Sequence, residues 1–263
     1  MKNQIAKTAT ISPQAQIGKG VKIGNFTIVH DNAIVADGVT IEDYCTIGYP
    51  VDFDLPNRKL MIGKNSHIRS HSVIYEGCDF SGCIQTGHHV MVRENTIAGR
   101  LFSVGSYNDI EGDCTFGDCV RLHGYVHVGK GSKIGSFVWL YSLVTLTNDP
   151  LPPLTLDVPV ILEDGVVVCL GSTVMPGAVM RKGSYAAANC QVKGEIEMGA
   201  VVKGPEAEQV GHVSTLIDFK SMKCLPWMKH ALERYPEDEH SRLLKLSDEI
   251  TASRINFSKD KKL

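Results

Sequence analysis

Two histidines four residues apart, His123 and His127, are the first candidates for acid–base chemistry in this sequence. The pKa of an unperturbed imidazole lies near neutral pH, so either side chain could take a proton from an attacking group and pass it to a leaving group. Glu94 follows Glu76 by eighteen residues, and two stacked carboxylates raise the pKa of one of them. We expect His123 to be the main candidate base, with Glu94 and His127 as the others. Each has an ordinary interpretation too, because surface histidines are common and Glu94 could simply pair with Arg93.

The stretch LTNDPLPP is a candidate for ligand binding. Asn148 offers both a donor and an acceptor, and Asp149 can accept hydrogen bonds from an ammonium or a hydroxyl group. The prolines that follow remove backbone donors and fix φ, so they predict a stiff loop over residues 147–161. Asn-Asp-Pro is also good turn chemistry. Because rigid scaffolds present binding residues on loops, we favour a substrate-binding role.

A six-residue period runs through most of the chain. An apolar residue leads nearly every unit in three runs, which cover 11–47, 62–146 and 162–198. Glycine often follows the lead residue, and the fifth place is mostly small or β-branched. This period fits neither an α-helix nor a simple strand alternation. Hexapeptide repeats are typical of a parallel β-helix.

Three units make one triangular turn of about 18 residues, and the turns stack about 4.8 Å apart. The sequence therefore predicts an all-β prism of about ten coils over residues 1–204, with loops at 48–61 and 147–161 where the period breaks. Residues eighteen apart stack on neighbouring coils, which aligns His71, His89, Tyr107 and Tyr125. That column is either an exposed aromatic seam or one side of a groove between subunits.

Composition fits a single soluble body. Of 263 residues, 43% are hydrophobic and 21% are charged, with a formal net charge of −2. This balance argues against nucleic acid or an anionic membrane as the main partner. The N-terminal stretch lacks an apolar signal-like region, and no segment is long enough to span a membrane. Four cysteines occupy the small fifth place (Cys45, Cys78, Cys114 and Cys190), so we expect reduced structural thiols and a cytoplasmic protein.

The repeat stops near Pro205, and residues 205–263 have a different pattern. Pro226 suits the first turn of one helix, and Pro236 separates it from a second helix that begins at Glu237. The second helix carries three leucines, namely Leu243, Leu244 and Leu246. We expect a short α-helical cap that covers the open end of the prism, since an exposed last coil promotes edge-to-edge association.

Several stretches resemble the left-handed β-helix (hexapeptide-repeat) acyltransferases: IGKGVKIG, VGKGSKIGSFVWL and LEDGVVVCLGSTVMPGAVMRKGSYAAANCQVKG. The resemblance covers about residues 10–204 and implies a left-handed parallel β-helix. Within that superfamily, HHVMVREN, VRLHGYVHVGKGSKIG and TLTNDPLPP resemble the N-acyltransferases of nucleotide-linked amino-deoxy sugars. Those enzymes commonly carry an Asn-Asp-x-x-Pro segment, and related sugar O-acetyltransferases carry similar segments.

This resemblance implies an enzyme that moves an acetyl or other short acyl group from acyl-CoA to the amine of a nucleotide-linked amino sugar. It also implies a homotrimer in which the two substrates meet between neighbouring prisms. Asn148 and Asp149 would bind the sugar, and Arg58, His89 and Tyr125 are further candidates for binding this substrate.

The resemblance places acyl-CoA along the last coils of the prism. Small residues there would let the pantetheine lie against the backbone, namely Gly171, Ser172, Ala187 and Ala188. Three cations could meet the phosphates, namely Arg181, Lys182 and Lys193. The same small residues also suit the corner geometry of any β-helix, so this assignment has a purely structural alternative.

Other functions stay open at this stage. Two are enzymatic variants: a sugar O-acetyltransferase, and an acyl-carrier-protein-dependent UDP-sugar acyltransferase of the lipid A type. The others are a metal-dependent β-helix lyase and a non-catalytic scaffold. We expect no metal, because His67 and His71 need not converge on a β-helix as they would on an α-helix. A catalytic zinc ion needs three well-aimed ligands.

Overall fold

The computed structural model describes residues 2–55, 58–80, 82–150, 157–215, 217–218, 223–224 and 232–257. Within these residues, three stacks of short parallel strands form the three faces of a prism. Each strand pairs with the strand about eighteen residues further on, as Asp109 does with His127. The predicted fold class, a left-handed parallel β-helix followed by a short α-helical segment, is confirmed.

The three faces are named sheets A, B and C in the order in which the chain visits them. Sheet A contains Gln4–Ile5, Lys22–Ile23, Thr40–Ile41, His67–Ile68, Ile84–Thr86, Phe102–Val104, Arg121–Leu122, Trp139–Leu140, Val167–Val168, Tyr185–Ala186, Ala200–Lys203 and Glu208–His212. Sheet B contains Thr10–Ile11, Ile28–Val29, Thr46–Tyr49, Val73–Tyr75, Met91–Val92, Asp109–Ile110, His127–Val128, Thr145–Leu146, Thr173–Val174 and Gln191–Val192. Sheet C contains Gln16–Ile17, Ala33–Val35, Leu60–Ile62, Asp79–Phe80, Ile97–Ala98, Thr115–Phe116, Lys133–Ile134, Ile161–Leu162, Val179–Met180 and Glu195–Ile196.

The remaining elements follow the prism. Glu208–His212 runs antiparallel to Ala200–Lys203 and covers the last edge of sheet A. A 3₁₀ turn at Val213–Thr215 and a small antiparallel pair, Ile217–Asp218 with Lys223–Cys224, come next. The last described element is helix α1, Glu237–Phe257.

The lead residues of the repeat form the core inside the prism. Ile47, Ile74, Ile110 and Leu140 are among those with no exposed surface. The four cysteines of the small fifth place are buried free thiols, as their register predicts. Burial raises the pKa of the Cys78 thiol to about 12, so these side chains act as small apolar residues rather than nucleophiles.

Helix α1 lies along the outside of the prism rather than over its end. Its apolar side, formed by Leu243, Leu246 and Ile250, packs with outward-facing side chains of sheet A such as Trp139 and Val167. Ion pairs tie both ends of the helix to the prism, with Arg100 to Asp238 at 3.0 Å and Lys182 to Glu249 at 2.9 Å. For α1, the expected position over the open end of the prism is therefore not seen, because its apolar side faces sheet A.

Two further expectations about the tail have different outcomes. Leu244 is 51% exposed and does not belong to the packed side of α1. Most of the first predicted helix, from Pro226, lies outside the described residues, and only 232–234 are seen to be helical. The division of the chain at residue 204 stays a prediction.

The predicted aromatic column exists and is longer than expected. Rings at the corner between sheets A and B stack at centroid distances of 4.6–5.2 Å; they belong to Phe26, Tyr44, His71, His89, Tyr107 and Tyr125. Each of these residues has a positive φ near 60°. Because the corner residues lie above one another on successive coils, their exposed rings form a continuous stripe along the prism.

The column makes a testable prediction about Tyr107, whose ring lies between His89 at 4.9 Å and Tyr125 at 5.0 Å. Tyr107→Ala removes two stacking contacts, each worth about 0.5–1.5 kcal/mol, and keeps a left-handed backbone that costs a non-glycine residue about 1–2 kcal/mol. Tyr107→Gly loses the same contacts but relieves that backbone cost. Thermal unfolding followed by circular dichroism should therefore rank native above Tyr107→Gly and Tyr107→Gly above Tyr107→Ala. Equal melting temperatures for the two variants would contradict this account of the corner.

Candidate functional site

The two candidate histidines lie on different faces of the prism. His123 comes directly after the sheet A strand Arg121–Leu122, whereas His127 begins the sheet B strand His127–Val128. Tyr125 is the exposed corner residue between them. The chain therefore turns a corner between the two imidazoles, and each has its own set of neighbours.

His127 forms a pair with a carboxylate that the sequence reasoning overlooks. Its Nδ1 lies 3.3 Å from Oδ2 of Asp109, the residue directly beside it on the previous coil. The hydrogen bond and charge of Asp109 raise the pKa of His127 against the opposing effect of burial. If Nδ1 carries the proton given to Asp109, Nε2 is left to accept one from a substrate. The eighteen-residue spacing from Asp109 to His127 is the signal that could have found this pair.

This pair predicts a measurable change in titration. Asp109→Asn removes the negative charge, so the pKa of His127 should fall, because only burial and more distant charges then act on it. The native pair stabilises the fold fully below the unfolded pKa near 6.5 and loses that contribution as pH rises through the raised folded value. Imidazole resonances in an NMR pH titration would measure the shift. His123 should titrate as in the native chain, and an unchanged His127 would refute the coupling.

The loop residues lie at the other side of sheet B. Asn148 follows the strand Thr145–Leu146, which pairs with the His127 strand on the next coil. Its Nδ2 donates to Oδ1 of Asp157 at 3.0 Å, and its carbonyl accepts from the Val158 N–H at 2.7 Å. Asp149 is the next residue and is partly exposed. Residues 151–156, at the tip of the predicted loop, lie outside the described residues.

A cation lies beside this loop. Lys130 Nζ is 3.9 Å from Asp157 Oδ2 and 3.7 Å from Asp113 Oδ2. His127 begins a sheet B strand, and Asn148 and Asp149 lie just beyond the end of the neighbouring sheet B strand. Tyr125 and His89 border this sheet as part of the aromatic column.

Glu94 has the ordinary role of an ion-paired carboxylate. It is 9% exposed and accepts hydrogen bonds from Arg93 at 3.0 and 3.1 Å. Glu76, one coil away, instead accepts the backbone N–H of Arg58 at 2.7 Å. Since each carboxylate has a separate positive or donor partner, the structure gives no support for a shared proton. Arg58 Nη1 donates to Asn95 at 2.9 Å, which places it at the corner between sheets B and C.

His123 has the opposite environment from His127. Its ring stacks on Tyr141 with centroids 4.5 Å apart, and no described residue forms a hydrogen bond with its buried Nε2. Burial lowers the pKa of His123, and the positive charges of Arg121 and Arg234 lower it further. The imidazole is therefore neutral at neutral pH, but no carboxylate among the described residues orients it as Asp109 orients His127.

The four small residues predicted to contact CoA lie together on neighbouring coils. Gly171, Ala187 and Ala188 lie at the corner between sheets A and B, in line with or beside the aromatic column. Ser172 is buried, and its hydroxyl donates to the Ala187 carbonyl at 2.9 Å, so its role is structural.

The three cations proposed for the CoA phosphates are ion-paired within the chain. Arg181 contacts Glu163 at 2.8 Å and Glu195 at 2.6 Å. Lys182 contacts Glu249 of helix α1, and Lys193 contacts Glu206. Arg181 and Lys182 also follow sheet C, away from the small residues. The assignment of these three side chains to the CoA phosphates stays a prediction, and a phosphate would have to replace these ion pairs.

The described part of the chain contains neither a metal-binding cluster nor a membrane-spanning helix. No group of three or more His, Cys, Asp or Glu side chains there is arranged to hold a metal ion. None of the helices in it has both the length and the apolar character that a membrane span requires.

Comparisons with known proteins point to one class of enzyme. No family model matches the sequence. An acyl-(acyl-carrier-protein)–UDP-N-acetylglucosamine O-acyltransferase from Thermodesulfovibrio yellowstonii is 29% identical over 154 residues, which cover 56% of this chain and 54% of that protein. The enzyme of the same name from Saccharophagus degradans is 26% identical over 134 residues, 50% of this chain and 48% of that protein. The chain spans about half the length of the curated relatives it matches.

One of the solved structures that resemble the fold is the UDP-N-acetylglucosamine acyltransferase from Campylobacter jejuni. It is 18% identical, with 91% of this chain and 81% of that chain covered, and the TM-score is 0.49. The predicted resemblance to the hexapeptide-repeat acyltransferases is confirmed by the curated relatives, to which this chain is similar over about half of its length.

Proposed function

We propose that this chain transfers an acyl group from a thioester donor to a nucleotide-linked sugar. The observation that carries the proposal is the His127–Asp109 pair, whose strand lies beside the strand that leads into Asn148 and Asp149. An oriented imidazole next to a loop of hydrogen-bonding side chains is what acyl transfer to an amine or hydroxyl requires. The named activity of the curated relatives supports the same class of reaction.

The proposed chemistry assigns His127 the proton transfers. The acceptor nitrogen or oxygen attacks the thioester carbonyl carbon, and His127 Nε2 takes the proton that the acceptor loses. The C–S bond then breaks, and the imidazolium returns its proton to the departing thiolate. Asp109 keeps the ring in one tautomer and stabilises its positive charge between the two steps. Asn148 and Asp149 hold the acceptor sugar through its hydroxyl or ammonium groups.

The motif TLTNDPLPP favours an amine as the acceptor and acyl-CoA as the donor, as in the sugar N-acyltransferases that it resembles. The names of the curated relatives favour a second candidate, transfer from acyl carrier protein to a sugar hydroxyl of a UDP-linked sugar. Both candidates need the same proton acceptor. They differ in the acceptor atom and in the carrier of the acyl group.

One experiment separates the candidates. The purified chain is incubated with nucleotide amino sugars or UDP-N-acetylglucosamine, each with acyl-CoA or acyl carrier protein of short and long acyl length, and the sugar nucleotide is examined by mass spectrometry. A product heavier by one acyl group in any combination supports the proposed class, and resistance of the new bond to mild base identifies an amide. No acylated product in any combination would refute the proposal.

We also propose a cytoplasmic homotrimer, in keeping with the implied sharing of substrates between neighbouring prisms. Side chains at the corner between sheets A and B, such as Tyr125, would then face the next subunit or its substrate. Light scattering should give three times the mass of one chain. A fully active monomer would exclude shared sites.

A further inference from the structure

Two arginines gather around one buried indole ring on the outer face of sheet A. Trp139 is 4% exposed. The Cζ atom of Arg121 lies 5.7 Å from its ring centre, and that of Arg234 lies 5.4 Å from it. Arg121 belongs to the strand beside Trp139, whereas Arg234 comes from the segment just before helix α1. Two unlinked parts of the chain therefore place positive charge at the same ring.

These two guanidinium groups lack the negative partners that comparable arginines have. Arg93 and Arg242 also lie over aromatic rings, at 5.7 and 5.4 Å, but each is paired with a carboxylate: Glu94 for Arg93, and Asp118 and Glu239 for Arg242. Over the described ranges, Arg121 and Arg234 form no ion pair. Since arginine stays charged at any ordinary pH, no carboxylate among the described residues offsets their mutual repulsion.

A neutral donor lies in the same cluster. His123 is two residues from Arg121, and its buried Nε2 has no hydrogen-bond partner among the described residues. By contrast, Trp139 Nε1 is satisfied, because it donates to the Tyr235 hydroxyl at 3.1 Å, which in turn donates to the Cys119 carbonyl at 2.9 Å. Leaving a buried polar atom without a hydrogen bond destabilises the fold. The cluster thus combines unpaired charge with an unpaired nitrogen.

We propose that Arg121, Arg234 and His123 form a binding site for a diphosphate group on the outer face of sheet A. Arginine forks bind phosphate oxygens through paired hydrogen bonds, and a diphosphate has two charged centres, one for each guanidinium group. Binding would neutralise both charges, and a small shift of side chains would let His123 Nε2 donate to an oxygen. The site stands whether or not the chain is an acyltransferase.

The ligand can reach this cluster from the Arg234 side, because Arg234 is exposed. A diphosphate could come from two sources with the same chemistry: a nucleoside diphosphate or the diphosphate of CoA. The proposed site binds the diphosphate group that both compounds contain. The arms of the test separate the sources.

Calorimetric titration of the full chain with sodium pyrophosphate at low salt tests the site, with UDP and CoA as separate arms. Arg234→Gln should weaken pyrophosphate binding at least tenfold, and Arg121→Gln should do the same. Arg242→Gln is the matched control, since it also removes an arginine over an aromatic ring but one already paired with carboxylates. It should bind as the native chain does. If the affinity for UDP or for CoA falls in the same variants as the affinity for pyrophosphate, that compound is the source of the diphosphate.

NMR on the native chain tests the site even if Arg121→Gln does not fold. Pyrophosphate should shift the His123 imidazole resonances of the native chain and leave those of His67 unchanged. Native binding that persists in Arg234→Gln, or a native chain that does not bind pyrophosphate or perturb His123, overturns the proposal. A loss of binding in Arg242→Gln equal to that in Arg234→Gln also overturns it, because the effect would then be general electrostatics.

Discussion

His127→Ala should lower kcat by about 10²–10⁴, the usual worth of a positioned general base. The physical reason is the pairing of its Nδ1 with Asp109 at 3.3 Å, which leaves the other ring nitrogen in position to accept a proton. Steady-state kinetics with saturating donor and acceptor would measure the loss. Substrate binding should change little, because the assigned acceptor contacts come from the loop at Asn148.

Substitutions of two other histidines serve as comparisons for His127→Ala. His67 is also paired with a carboxylate, Glu42 at 2.8 Å, but lies on sheet A. His67→Ala should therefore keep kcat within about threefold of native. His123→Ala should affect KM for a phosphate-bearing substrate more than kcat, because its imidazole has no orienting carboxylate. A large loss of kcat in His123→Ala with native kcat in His127→Ala would restore the order of candidates that the sequence suggested.

Asn148→Ala and Asp149→Asn should each lower kcat/KM for the sugar acceptor more than tenfold, about 1.4 kcal/mol or more of transition-state stabilisation. Both side chains are assigned to the acceptor, so KM for the acyl donor should change less. Initial rates at varied acceptor and fixed donor concentration would show the difference. Asn25→Ala, in an exposed corner of an N-terminal coil, serves as the control and should be neutral.

Asp157→Ala decides between binding and loop support. Asn148 donates to Asp157 at 3.0 Å, so either substitution removes the same hydrogen bond. If Asn148 binds the acceptor, Asn148→Ala should be clearly worse than Asp157→Ala. Equal losses in the two variants would assign Asn148 a purely structural role.

Much of the fold follows from the sequence because the repeat itself sets the geometry. A six-residue period with apolar lead positions determines which side chains fill the core, and the eighteen-residue coil aligns the aromatic column. The position of helix α1 is harder to predict, since an apolar helix face does not specify its partner. The available signal is the outward-facing apolar residues of sheet A, such as Trp139 and Val167.

The candidate site is harder to predict from the sequence, because the role of a side chain depends on which atoms it contacts. The six-residue period does not determine those contacts. Glu94 was a candidate base because of its stacking on Glu76, but the strand ends at Val92, and in the turn that follows Arg93 and Glu94 can meet. Arg181 is neutralised by Glu163, which lies one coil away, so the coil length could have predicted this pair. No sequence period could have brought Arg234 to Trp139, since the contact joins the prism to the segment after it.

The pH dependence of kcat/KM in the native enzyme and in Asp109→Asn tests the central claim most directly. The base must be neutral to accept a proton, so activity should fall as pH falls through the pKa of His127, which Asp109 raises above its usual value. The native acidic limb should therefore have its inflection above about 6.5. In Asp109→Asn that inflection should move to lower pH, together with a lower plateau rate. An acidic limb at the same pH in both enzymes would show that His127 is not the group that takes the proton.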